Sequence, residues 1–81
     1  MRPDDLLRVL RRRPFVAFRL HVSDGTTYEI VGPEMAVVER STVTVGVPVP
    51  GQADVLLHVV VSLLHITQLE PIVRSGAMPS S

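Results

Sequence analysis

Pro14-Phe15-Val16-Ala17-Phe18-Arg19-Leu20-His21-Val22-Ser23-Asp24-Gly25-Thr26-Thr27-Tyr28-Glu29-Ile30 decides the architecture of this chain. Phe18, Leu20 and Val22 alternate with Arg19, His21 and Ser23, and Tyr28 and Ile30 alternate with Thr27 and Glu29. A period of two belongs to a strand with one buried face. Between the two runs, Asp24-Gly25 reads as a turn. A two-residue loop would set Leu20 opposite Glu29 and Arg19 opposite Ile30, mixing the faces. A three-residue loop, Ser23-Asp24-Gly25, instead pairs Val22 with Thr26, Leu20 with Tyr28 and Phe18 with Ile30. The pattern therefore predicts a type I turn closed by a left-handed Gly25 in a G1 bulge. It turns Phe18, Leu20, Tyr28 and Ile30 inward and leaves Arg19, His21 and Glu29 as an outer face open to partners.

Upstream, Pro3 followed by Asp4 and Asp5 marks a helix start, because proline fits the first turn and carboxylates favour the positive end of the helix dipole. Leu6, Leu7 and Leu10 make one apolar face with Val9 at its edge. Arg11, Arg12 and Arg13 fall where cations are favoured, and Pro14 ends the element. A helix of about ten residues is too short to stand alone and must dock on the sheet.

Downstream, Gly32-Pro33 breaks the strand. Met35 to Val38 and Thr42 to Val47 form a second hairpin around Glu39-Arg40-Ser41, with Val43, Val45 and Val47 on one face. Pro48 to Asp54 reads as a proline-rich internal loop. Val55 to Val61 is the most hydrophobic strand, interrupted by His58. Ser62 to Ile66 looks like a tight helical turn before a last strand near Thr67 to Glu70, which Pro71 ends. The expected fold is mainly β (α+β): a short N-terminal helix, then a five-stranded, strongly bent antiparallel sheet or small SH3-like or Sm-like barrel. Residues 1–72 make a single domain, and residues 73–81 read as a flexible C-terminal tail.

Eighty-one residues leave room for one modest core. With no cysteine, there is no disulfide framework or thiolate chemistry. Aromatic residues are scarce, two Phe and one Tyr, so valine carries the core, as suits a sheet. Small domains of this kind often complete their core by oligomerising. The formal net charge is zero, against a general polyanion binder. Its distribution is uneven: six Arg and two Asp fall in residues 1–19, and two Arg and six acids in the rest. Every basic residue is Arg, a bias that a GC-rich genome produces and that also suits bidentate contacts. The run Val59 to Leu64 is broken by Ser62 and too short for a membrane span, and no targeting segment is evident, so a cytoplasmic chain without membrane attachment is expected.

Arg13-Pro14-Phe15, Phe18 through Gly25, Pro33-Glu34 and Ser62-Leu63-Leu64-His65-Ile66-Thr67-Gln68-Leu69-Glu70-Pro71 resemble a widespread family of short uncharacterised bacterial proteins, abundant in planctomycetes. The resemblance covers about residues 2–72 and departs from the usual family pattern at Ala17, Thr26 and Gly32. It implies no activity. In architecture the chain is also similar to the Sm-like family: an N-terminal helix, a first strand reaching a polar-Gly turn, and the His65-Ile66 step before the last strand. Leu64 stands where that family carries a lysine.

Candidate sites are few. His21, His58 and His65 lie on different elements without the close spacings of zinc sites, so no metal is expected. His58, within an apolar strand, and its neighbour Val60 are candidates for an interface. Arg8, Arg11, Arg12, Arg13 and Arg19 could line a phosphate-binding edge, although a solvated helix end accounts for most of them and aromatic stacking residues are scarce. Ser62 lacks a nucleophile-elbow context, and no carboxylate pair stands out. No catalytic residue and no cofactor is assigned. The sequence thus points to a non-enzymatic module that associates with itself or with another protein, because apolar residues on both faces near Val59 to Val61 call for a cover on both sides. The alternative is an Sm-like binder of RNA or other nucleic acid acting through the N-terminal arginines.

Overall fold

The computed structural model describes residues 1–72. One helix, α1 (Pro3–Leu10), precedes six strands: β1 (Phe18–Val22), β2 (Thr27–Ile30), β3 (Ala36–Val38), β4 (Thr42–Val49), β5 (Gln52–Ser62) and β6 (Ile66–Pro71). Single 3₁₀ turns, Pro33–Met35 and Leu63–His65, precede β3 and β6. The expected tail at residues 73–81 lies outside the described residues.

The first hairpin has the predicted register. Phe18 pairs with Ile30 and Leu20 with Tyr28. The Val22 N–H donates to the Thr26 carbonyl at 2.9 Å, and the Gly25 N–H to the Val22 carbonyl at 2.9 Å. Gly25 has φ of 92°, the left-handed conformation the bulge demands. The last strand, β6, returns antiparallel along the other side of β1, so β1 is central in a sheet of order β2-β1-β6. The second sheet has order β3-β4-β5, with Ala36 opposite Val45 and Val43 opposite Val61.

The strands therefore number six in two three-stranded sheets, where one bent sheet of five or a closed barrel was expected. The cause is local. Pro33 cannot donate to a ladder, and it opens a 3₁₀ turn that parts β2 from β3. Ala36–Val38 then pairs with β4 and not with β2, as the second hairpin read from the sequence requires, and with the five other strands it makes six. Nor is Pro48 to Asp54 a loop. β4 and β5 run on, through a register shift that leaves Ala53 to Val55 unopposed, to a two-residue Pro50-Gly51 turn, in which Val49 faces Gln52 and Gly51 has φ of 80°. Proline at the first turn position and glycine at the second suit a type II turn. Pro48 is tolerated in β4 because β3 has already ended, leaving β5 as the only neighbour there. The helix is shorter than expected and stops at Leu10, before Pro14 is reached, with the Arg11 N–H closing on the Leu7 carbonyl at 2.9 Å.

One core joins the parts. Leu6 and Leu10 of α1 meet Phe18, Leu20 and Ile30 of the first sheet and Ala36, Val43, Val45 and Val61 of the second. Leu63, which opens the second 3₁₀ turn, and Ile66, which follows it, complete the core. Ser62 caps that turn by accepting the Leu64 N–H at 3.3 Å.

Candidate interaction surface

The β4–β5 hairpin is longer than the core it covers. Residues facing each other across an antiparallel pair share a face. Val43, Val45 and Val47 therefore lie on the inner face with Val61, Val59 and Leu57. Along that face exposure climbs from 7% at Val61 to 58% at Leu57, as the strand passes from the core, against which Val59 and Val47 still pack, to residues outside it. The hairpin projects as an arm. Its outer face is also apolar in part: Val60 is 65% exposed, and Leu56 and Val37 are exposed too. Leu56 reaches over Gly46, where an added β-carbon would stand 3.5 Å from the Leu56 Cδ1 atom, an ordinary van der Waals contact. His58, opposite Gly46, is exposed between Leu56 and Val60. Among the described residues, β5 is hydrogen-bonded on one side only.

A cleft of about 410 Å³ runs beside the free edge of β5. It is lined by Val59 to Ser62 of β5, by Val22, Ser23, Asp24 and Tyr28 of the first hairpin, and by His65. Ser23 Oγ lies 3.2 Å from His65 Nδ1. Asp24 is engaged elsewhere: its carboxylate accepts the Thr26 N–H at 2.9 Å, which holds its pKa below the usual carboxylate range. Among the described residues no carboxylate hydrogen-bonds the His65 ring to orient it as a base in a triad would require. The contact is turn chemistry.

Arg19 and His21 stand on the outer face of the first sheet, as the alternation predicts, but they are partnered. Arg19 donates to Glu29 at 3.0 Å and to Glu70 at 3.3 Å, and His21 Nε2 lies 2.9 Å from the same Glu70 oxygen. The hydrogen bond to Glu29 raises the Arg19 pKa. His21 first, and then Arg19, hold Glu70 below the ordinary carboxylate range. Arg19 is therefore separate in role from the helix-end arginines. Of those, Arg8 and Arg11 share a shallow groove with Asp4 and Leu7. Arg8 also makes an exposed pair with Asp5 at 3.9 Å. Arg12 and Arg13 are exposed, and Arg13 donates to the Arg12 carbonyl at 3.1 Å.

The three histidines do not converge, and among the described residues no three side chains of His, Cys, Asp or Glu come together as metal donors. Nor is any helix among them long and apolar enough to cross a membrane. Two features escaped the sequence reading. Glu70 as the hub of the polar network depends on β6 returning beside β1, which no local pattern encodes. The projecting arm was hidden because Pro48 and Pro50 read as a break, although proline at a turn's first central position was the available signal. Compared with family models, curated proteins and solved structures, the chain matches none.

Proposed function

We propose that the chain is a non-enzymatic, cytoplasmic interaction module that associates with itself through the β4–β5 arm. One observation carries this reading: both faces of β5 present uncovered valine and leucine side chains beside an unpaired strand edge. Natural proteins blunt such edges with charge, proline or a cover; Val55 to Val61 holds no Asp, Glu, Lys, Arg or Pro, and among the described residues Leu56, Leu57 and Val60 are left exposed. A partner supplies the cover, and a second copy is always at hand. Light scattering over a concentration series tests this directly. Association in the micromolar range is expected, and a strict monomer at high micromolar concentration would remove the reading.

A second reading keeps the alternative of an Sm-like nucleic-acid binder. Supporting it, Arg8 and Arg11 line one groove, and Arg2, Arg11, Arg12 and Arg13 make no ion pair among the described residues. Support for an Sm-like or SH3-like class, and for kinship with the short bacterial proteins, lies in the helix, the Asp24-Gly25 turn and the His65-Ile66 step before a strand that returns to β1. This reading requires RNA affinity that falls steeply with salt and weakens when Arg11 to Arg13 become Gln. Absence of binding at low salt excludes it.

A further inference from the structure

The apolar run of β5 is symmetric about one residue. Val55, Leu56 and Leu57 precede His58, and Val59, Val60 and Val61 follow it. An uncharged edge of this kind is matched by a strand that is itself uncharged and apolar. Of the other edge strands, β2 carries Glu29, β6 carries Glu70 and Pro71, and β3 has only three residues. Among the described strands, the best match for β5 is therefore β5 itself.

We propose that two copies pair antiparallel along β5, about a two-fold axis at His58. A two-fold axis normal to the sheet keeps like faces on the same side, so the axis must pass through a residue position. Centred on His58, Leu56 lies opposite Val60 and Leu57 opposite Val59, within the stretch Leu56 to Ser62 that pairs regularly with β4. Moving the centre by one residue sets His58 against Val60 or Leu56 and brings Ser62 or Asp54 opposite an apolar side chain. Of these registers, the His58 one alone sets apolar against apolar on both sides of the central histidine pair. It unites the two copies of the second sheet into one continuous sheet with β5 at its middle. The imidazoles meet at the axis, where the N–H of one can donate to the bare nitrogen of the other. The cleft beside Val59 to Val61 takes the far end of the partner's arm. This pairing rests on the self-association reading and gives it a register.

Because the chain contains no cysteine, single cysteines report the register without background. Opposed residues of an antiparallel pair lie about 4.5–5.5 Å apart at Cα, within reach of a disulfide. Full-length His58→Cys should therefore oxidise to a covalent dimer about tenfold faster than Val60→Cys or Leu56→Cys alone, which have no like residue opposite them. An equimolar mixture of those two variants should recover the fast rate as a mixed dimer. All three sites are exposed in the single chain, so folding is not at stake, and His58→Ser serves as a control for association. If the wild-type chain dimerises by light scattering but His58→Cys does not cross-link, the register is wrong and self-association stands. If the chain is monomeric and no variant cross-links, both are overturned.

Discussion

Truncating the same side chain at two places separates the core from the arm. Leu20 is fully buried on the central strand, between Tyr28 and Leu69. Leu20→Ala removes that burial and leaves a cavity, a loss of about 3–4 kcal/mol. Leu57 also faces inward but is 58% exposed, so less than half of its burial is realised in a single chain. Full burial of a leucine is worth about 2–3 kcal/mol, so Leu57→Ala should cost about 1 kcal/mol, with no cavity in an open site. A domain of this size unfolds in urea with a slope near 1 kcal/mol per molar. The midpoints should fall by about 3 M for Leu20→Ala and about 1 M for Leu57→Ala. The measurement is urea unfolding followed by far-ultraviolet circular dichroism at low micromolar protein, repeated at high micromolar protein. Where copies cover the arm, the cost of Leu57→Ala grows with concentration by about 1 kcal/mol per copy, from the remainder of its burial, while that of Leu20→Ala does not. Equal losses at low concentration would mean that the arm is already packed in the monomer. A Leu57→Ala cost that ignores concentration would mean that nothing covers it.

Other perturbations address the turns and charges. Gly25→Ala should destabilise by about 1 kcal/mol through backbone strain alone, since φ is 92° and nothing lies within 4 Å of the added carbon; an unchanged melting curve would contradict the turn. Ser62→Ala removes the cap on the 3₁₀ turn and should cost about 0.5–1 kcal/mol in the same assay, by analogy with helix N-caps. Asp24 and Glu70 both have lowered carboxyl pKa values in the folded chain, through the Thr26 backbone N–H and through His21 respectively. Their stabilisation is complete above the unfolded carboxylate pKa, and is lost as pH falls through the folded values, below about pH 4. Glu70→Gln should therefore flatten the acid limb of a stability–pH profile, and an unaltered limb would show that the network adds nothing.

Local pattern sufficed wherever partners are close in sequence. The Ser23-Asp24-Gly25 turn and the register of β1 on β2 follow from alternation, because one slip would turn Leu20 and Tyr28 outward. The hairpin around Glu39-Arg40-Ser41 is legible for the same reason. What escaped depends on distant partners. Nothing near Arg19 foretells Glu70, which lies 51 residues away on β6. The separation into two sheets turns on whether β2 and β3 stay in line past Pro33, a question of three-dimensional path. Along β5, hydrophobicity suggested a strand needing cover on both faces, but only packing reveals that the core stops short of Leu57. Among the candidate residues, His58 and Val60 do stand exposed on that arm, whereas Arg19 is drawn away from the other arginines by its carboxylates.

The central place of β1 gives folding an order in time. The second sheet needs only residues 36–62, joined by tight turns, so its loops close at little entropic cost. The first sheet cannot be completed until β6 arrives across most of the chain, a contact of high sequence separation that forms slowly. The arm is therefore expected to form while β6 is still loose, with its bare edge open to other chains before the fold has closed. Pulse-labelled hydrogen exchange should find amides of β4 and β5 protected before those of β6, and simultaneous protection would contradict this order. Rapid refolding at high concentration should yield aggregates, and slow dilution should yield the native chain.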